Sequence, residues 1–197
     1  RGDRLVNPTE IMQVLEKKGA VLHGHFVLSS GRHSDLFVQK FRVLEHPRLA
    51  QRFGESIAGL FGEFDLVACP AVGAVVLGFT TALAGGARMI FAERAEGAMA
   101  FRRGFRIEPH ERVLVVEDVV TTGGSAREVL DLARAGGGAV VGVGALIDRS
   151  DPEDPPDFTV PLKALLKVPA TSWAPEECPL CERGEELTDP GSRRLGG

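Results

Sequence analysis

The sequence predicts an α/β protein built on a parallel sheet, and three observations carry that prediction. Short continuous apolar runs, Leu66-Val67-Ala68-Cys69 and Val113-Leu114-Val115-Val116 foremost, read as strands buried on both faces, since a half-exposed strand would alternate apolar and polar residues. Segments with apolar residues at helical spacing lie between these runs, the pattern of strand-helix-strand crossovers. The chain has 197 residues with 24 glycines and no tyrosine, which suits one glycine-rich domain whose loops hold something anionic.

Asn7-Pro8-Thr9-Glu10 reads as a helix start, with Asn as cap, Pro in the first turn and Glu at the third helical position. Ile11, Val14 and Leu15 continue it and Gly19 stops it. Val21-Leu22 with Phe26-Val27-Leu28, then Leu36-Phe37-Val38, predict two short strands joined through the turn-rich Ser29–Ser34 stretch. Pro47 opens a second helix with Leu49, Phe53, Ile57 and Leu60 on one face. A strand ending at Pro70 follows, then a helix over 74–83, a strand over 88–92 and a polar, flexible segment over 93–104. Arg112 to Asp118 is the strongest strand signal. Ser125 to Ala135 is a helix with Val129, Leu130 and Ala133 inward, and a strand runs from Ala139 to Asp148-Arg149. After the acidic, proline-rich 151–156 linker, Phe158 to Val168 adds a strand and a short helix at the sheet edge, and the remainder from Pro169 is loop-like. A single domain over 1–197 is expected: helix and hood over 1–45, a binding core over 46–150, an edge strand and tail over 151–197.

Composition excludes several classes. Hydrophobic residues make up 44% and charged residues 25%, which rules out a disordered chain, a collagen or a coiled coil. A net charge of −4 offers no basic field for nucleic acid. No apolar run reaches the roughly 18–20 residues of a membrane span. The opening Arg1-Gly-Asp-Arg-Leu5 lacks the apolar core of a signal peptide, so a cytoplasmic location is expected, and the missing Met points to a trimmed N-terminus. Three cysteines, Cys69, Cys178 and Cys181, do not make a disulfide framework.

Ligands of a parallel sheet sit beyond the carboxyl ends of its strands, here Cys69-Pro70, Ala92-Glu93-Arg94, Glu117-Asp118 and Asp148-Arg149. The most informative stretch is Val113 to Ser125: a buried strand, two acids, two valines, then Thr121-Thr122-Gly123-Gly124-Ser125 running into a helix. Backbone N–H groups and hydroxyls at a helix N-terminus form an anion site, and glycines let the backbone approach a phosphate. The acids, one turn earlier, suit the hydroxyls of a sugar carrying that phosphate. The chain has neither the glycine-lysine signature of a P-loop nor the three-glycine turn of a dinucleotide fold. Cys178-x-x-Cys181 supplies two of the four ligands a closed zinc site needs; two copies meeting across a dimer axis could complete a four-cysteine site, with reduced structural thiols as the plainer alternative. The histidines have no ligand spacing, and His33 lies where the hood could bring it to substrate.

The stretch from Val113 to Ser125 resembles the phosphoribosyl-pyrophosphate (PRPP) signature of the type I phosphoribosyltransferases. Phe26-Val27-Leu28-Ser29-Ser30-Gly31-Arg32-His33-Ser34 resembles the hood element of the orotate phosphoribosyltransferases, Arg94-Ala95-Glu96 the start of their mobile catalytic loop, and Asp148-Arg149 the position of their orotate-binding arginine. Cys178-Pro179-Leu180-Cys181 with Pro190-Gly191-Ser192-Arg193 is similar to the tail of a bacterial and archaeal branch. The resemblance spans Leu15 to Arg193 and implies the type I phosphoribosyltransferase fold, a parallel central sheet flanked by helices with a small N-terminal hood. It implies Mg²⁺-dependent transfer of ribose 5-phosphate from PRPP to orotate, a step of pyrimidine synthesis, by a homodimer that shares loop 93–104 across its interface. The implied PRPP-binding residues are Arg94, Glu117, Asp118, Val119, Val120, Thr121, Thr122, Gly123, Gly124 and Ser125. Thr121 and Arg149 are implied for orotate, and Asp118, Arg94, Arg102 and Arg103 for catalysis. No direct metal ligand is implied in the site, because Mg²⁺ is held mainly through PRPP.

The chain departs from that family where lysines are usual: Ser29, the Val72-Gly73 loop and Ala95 stand in their place, and Gly97 to Gly104 lacks the loop's further lysine and its histidine. Arg94, Arg102 and Arg103 are the cations that remain there for pyrophosphate. Transfer to a purine or to uracil, and a non-catalytic PRPP-sensing regulator, are the alternatives. The hood element and Arg149 oppose the first, and the absence of a nucleic-acid-binding extension opposes the second.

Overall fold

The computed structural model describes residues 7–28, 31–168 and 171–189. The expectations for Arg1–Leu5, Ser29-Ser30 and Pro190–Arg193 lie outside these.

Asn7 caps α1 (Pro8–Lys17) by accepting a hydrogen bond from Thr9 N–H, and α1 buries Ile11 and Leu15. β1 (Val21–Val27) and β2 (His33–Val38) form the antiparallel hood hairpin. The short α2 (Phe41–Leu44) leads into α3 (Pro47–Leu60). The core then alternates: β3 (Leu66–Pro70), α4 (Val75–Gly85), β4 (Arg88–Ala95), β5 (Ala98–Phe101), β6 (Arg112–Val120), α5 (Gly124–Ala135), β7 (Ala139–Asp148) and β8 (Leu162–Lys167).

The main sheet has the order β5-β4-β3-β6-β7-β8, and every neighbouring pair is parallel except the β4–β5 hairpin. The period-two alternation explains why its strands read as unbroken apolar runs. Val67, Cys69, Leu114 and Val116 pack on the face covered by α1, α3 and α4, against Leu15, Phe53, Ile57 and Leu77. Leu66, Ala68, Val113 and Val115 pack on the other face, under Val129, Leu130 and Ala133 of α5. From β3 the chain moves outward to β4 and β5; after β6 it moves the other way to β7 and β8. The strand order therefore reverses between β3 and β6, and their carboxyl ends form the switch-point crevice where such sheets bind ligands.

Three expectations need correction. Residues 93–104 are not irregular: β4 runs on to Ala95, turns at Glu96 (φ 51°) and Gly97 (φ 90°), and returns as β5. Two positive-φ residues make a two-residue hairpin turn whose twist matches the strands. The 158–168 segment is an edge strand without the expected helix. The tail beyond residue 170 is not merely loop: a 3₁₀ turn (Pro175–Glu177), α6 (Pro179–Glu182) and β9 (Leu187–Thr188) fold back, with β9 parallel to β1. No helix among the described residues is long and apolar enough to cross a membrane.

Candidate active site

β6 carries the two acids to the crevice, and the strand's alternation sends them to opposite faces. Asp118 is 2% exposed and lies on the α4 face; its Oδ1 accepts a hydrogen bond from Val119 N–H at 2.6 Å. Its Oδ2 lies 2.6 Å from Lys40 Nζ. That contact is an ion pair without hydrogen-bond alignment, so Oδ2 has no hydrogen-bond partner among the described residues. Gly73, in the loop after β3, sits against both: a Cβ there would collide with Asp118 Oδ2 and come within 2.8 Å of Lys40 Nζ. A side chain at that position and the buried ion pair cannot occupy the same space.

Glu117, 7% exposed, faces α5, and its Oε1 accepts from Asp118 N–H at 2.9 Å. Burial, and then the negative charge of Asp118, push its pKa from 4.5 up to about 8; Lys40 opposes the rise. One carboxyl is thus held by a lysine, while its neighbour is placed to carry a proton at neutral pH.

Beyond β6, Thr121 to Ser125 turn into α5. Gly123 takes a left-handed backbone (φ 75°), and a Cβ there would meet Phe158 at 2.7 Å and Pro156 at 2.8 Å. The first N–H groups of α5 have no partner within the helix and face outward with the helix dipole behind them. They border a pocket of about 240 Å³ lined by Arg94, Glu117, Val119 to Ser125, and Glu128. A larger concavity of about 1110 Å³ lies at the opposite end of the sheet, lined by Glu63, Asp65 and Arg112 among others. Arg112 there is already paired to Asp65 and Glu63 at 2.7 Å, and the phosphate-type loop is at the other end, so chemistry favours the smaller pocket.

Arg94 reaches that pocket from β4. It donates to Glu128 Oε1 at 2.8 Å and to the Gly97 carbonyl at 2.6 Å, while Glu128 Oε2 accepts from Met99 N–H at 2.9 Å. Arg94, and then Met99 N–H, hold the Glu128 carboxyl below its usual range. Glu128 therefore pins the hairpin to α5. Arg103 is not brought to the pocket: both its Nε and terminal nitrogen donate to Glu93 at 2.9 Å, and it lies over Phe91 on the opposite face of β4. Arg102 is exposed.

Arg149 follows β7, its N–H donating to the Val120 carbonyl at 2.7 Å beside Thr121. The side chain is 7% exposed and donates to the hood carbonyl of Leu36 at 3.3 Å, while its Nε has no hydrogen-bond partner among the described residues. Burial lowers its pKa and Asp35 opposes the shift. A buried guanidinium with an unused N–H is prepared for a planar anion. Cys178 and Cys181 come against His25 and His33 of the same chain's hood, so His33 points toward sulfur and not into the pocket.

Sequence reasoning missed Lys40 and Glu128. Lys40 is the only lysine between Lys18 and Lys163, and the lysine-free Val72-Gly73 loop called for a cation from elsewhere. Nothing in the spacing of Glu128 marks it.

A phosphoribosyl transferase domain profile matches residues 86–176. The chain is 48% identical over 187 residues to the orotate phosphoribosyltransferase of Thermotoga maritima, covering 94% of this chain and 99% of that protein. It is 44% identical over 188 residues to that of Caldanaerobacter subterraneus, covering 94% and 98%. The crystal structure of orotate phosphoribosyltransferase from Aeropyrum pernix superposes with a TM-score of 0.66 at 25% identity, over 80% of this chain and 93% of that one.

Proposed function

The chain belongs to the orotate phosphoribosyltransferase family, and on that premise we propose how its residues divide the reaction. The enzyme transfers ribose 5-phosphate from PRPP to orotate, giving orotidine 5′-monophosphate and pyrophosphate. The observation that carries the reading is the pairing, at one switch point, of an acid pair and phosphate-type loop with a buried arginine whose Nε is unused.

In this reading the N–H groups and hydroxyls of Thr121 to Ser125 receive the 5′-phosphate, with Val119 and Val120 forming the floor. Glu117 and Asp118 flank the ribose from the two faces of β6: the charge of Asp118 favours an oxocarbenium-like transition state, and the protonated Glu117 is a hydrogen-bonding partner for a ribose hydroxyl. Lys40 orients Asp118. Arg149 holds the orotate carboxylate, with Thr121 beside it. Arg94 leaves Glu128 to meet pyrophosphate, and Arg102 and Arg103 add charge when the hairpin over residues 93–104 closes and excludes water. Mg²⁺ fits as an ion carried by PRPP: Lys40 already neutralises Asp118 Oδ2 at 2.6 Å and Glu117 is placed to hold a proton, so oxygens of substrate and water would hold the ion beside these two groups. When bound it neutralises charge on the departing pyrophosphate.

A homodimer fits an exposed apolar stripe at helical spacing along α4 and the preceding turn: Val72 (76% exposed), Val76, Phe79 and Leu83. α4 packs beside β4, which supports a hairpin shared with the partner. Three free cysteines accord with a cytoplasmic setting.

The test is loss of orotate absorbance with PRPP and Mg²⁺, with adenine, guanine, hypoxanthine and uracil as controls. Orotate should be consumed only when PRPP is present, and faster than any other base. Faster turnover of another base would assign the Arg149 pocket to that base.

A further inference from the structure

The tail returns to the hood, and four metal-type ligands converge where it lands. Cys178 precedes α6 and Cys181 lies within it; His25 and His33 come from the facing hood strands β1 and β2. Cys178 Sγ and Cys181 Sγ lie 3.4 Å and 3.6 Å from His25 Nε2, Cys181 Sγ lies 3.3 Å from His33 Nδ1, and the two ring nitrogens are 3.0 Å apart. All four ligand atoms fall within 4.8 Å of one another. With Zn–S near 2.3 Å and Zn–N near 2.0–2.1 Å, a tetrahedral ion sets its ligand atoms about 3.3–3.8 Å apart. The four separations just given are within a few tenths of an ångström of those edges, and the other two fall within 4.8 Å.

The surroundings favour a metal. His25 Nδ1 donates to the Glu185 carbonyl at 2.9 Å, which fixes the proton on Nδ1 and leaves the Nε2 lone pair aimed at the cluster. His25, His33 and Cys178 are 3%, 6% and 1% exposed, and the exposed Cys181 closes the outer edge of the cluster. Two thiolates balance the charge of a divalent ion, and a centre with three buried ligands would carry no net charge. The parts that deliver the ligands are a three-residue 3₁₀ turn, a four-residue helix and a two-residue strand, each too short to persist alone.

We propose that His25, His33, Cys178 and Cys181 form a closed Cys₂His₂ structural zinc site that locks the tail onto the hood within one chain. All four positions are filled by protein, so the ion has no open position for substrate. On binding, each thiol loses its proton to solvent as its S–Zn bond forms; two protons leave per ion and nothing is oxidised. The site also steadies β2, whose Leu36 carbonyl accepts from Arg149.

The test is elemental analysis of the full-length protein, purified without a polyhistidine tag from zinc-supplemented medium. The proposal expects about one zinc per chain, falling below about a tenth in a Cys178→Ser, Cys181→Ser variant and in His25→Ala. Cobalt(II) added to stripped wild-type protein should give the intense visible bands of a tetrahedral site with thiolate charge transfer, and removing the metal should lower the melting temperature. The wild-type measurements decide the matter even if a variant fails to fold. Less than about a tenth of a zinc per chain together with no tetrahedral cobalt spectrum would overturn the proposal. So would iron in place of zinc, or about half a zinc per chain that survives His25→Ala, which is the signature of a four-cysteine site between two chains.

Discussion

Replacing Lys40 by Met tests how the acid at the centre of the site is held. The side chain keeps most of its apolar stem and loses its charge. Asp118, whose side chain is 3% exposed, then keeps a buried carboxylate without its cation, 2.6 Å from where Nζ stood. At an effective dielectric of about 20, that separation corresponds to about 6 kcal/mol of attraction. The Lys40 side chain is 29% exposed, so solvent screens part of this. Breaking a buried pair by removing one partner costs about 3–5 kcal/mol, and the lower end applies here. Urea unfolding followed by circular dichroism, run on Lys40→Met, Asp118→Asn and the double variant, reads the coupling directly. The expected result is a loss of about 3 kcal/mol in Lys40→Met, most of it recovered once Asp118 is also neutral. A loss under about 0.5 kcal/mol, or two changes that simply add, would refute the argument that Lys40 compensates Asp118.

Glu117 imposes a pH dependence whose sign follows from its raised pKa. Between 4.5 and about 8 the folded state keeps a proton that the unfolded state has lost, so stability should fall as pH rises through that window and level off above it, by at most about 5 kcal/mol. Glu117→Gln should flatten this slope in urea midpoints at pH 5, 7 and 9; an unchanged slope would assign it to another group. Arg149→Ala should raise the KM for orotate about 10- to 100-fold and leave that for PRPP nearly unchanged, with Arg149→Lys a poor rescue, because only orotate brings the carboxylate. Equal effects on both substrates would make Arg149 structural. Arg102→Ala combined with Arg103→Ala should lower kcat with little change in orotate affinity, and the wild-type pH profile should show no loop-histidine pKa near neutrality. An unchanged kcat would leave the leaving-group charge to Arg94.

What was legible in the sequence is what local chemistry encodes. The runs at Leu66 and Val113 read as buried strands because their alternating neighbours serve two apolar faces. Glu117 to Ser125 read as a ligand loop because an acid pair, glycines and hydroxyls in that order leave few other uses. The β4–β5 hairpin was hidden because Glu96 takes a left-handed backbone that its residue type does not announce. The tail's order depends on β9 finding β1 and on cysteines meeting histidines about 150 residues away, a long-range event without a local pattern. Lys40 was missed for the same reason, since its partner lies far along the chain.

The central claim is that transfer to orotate takes place at the carboxyl end of β6, around Asp118. The most direct test is the rate of orotidine 5′-monophosphate formation by the wild-type protein and by Asp118→Asn at saturating PRPP, orotate and Mg²⁺, with folding checked by circular dichroism. The account predicts a folded variant whose kcat falls about 100-fold or more, because the lost charge faces the transition state. A folded variant that turns over at the wild-type rate would contradict it.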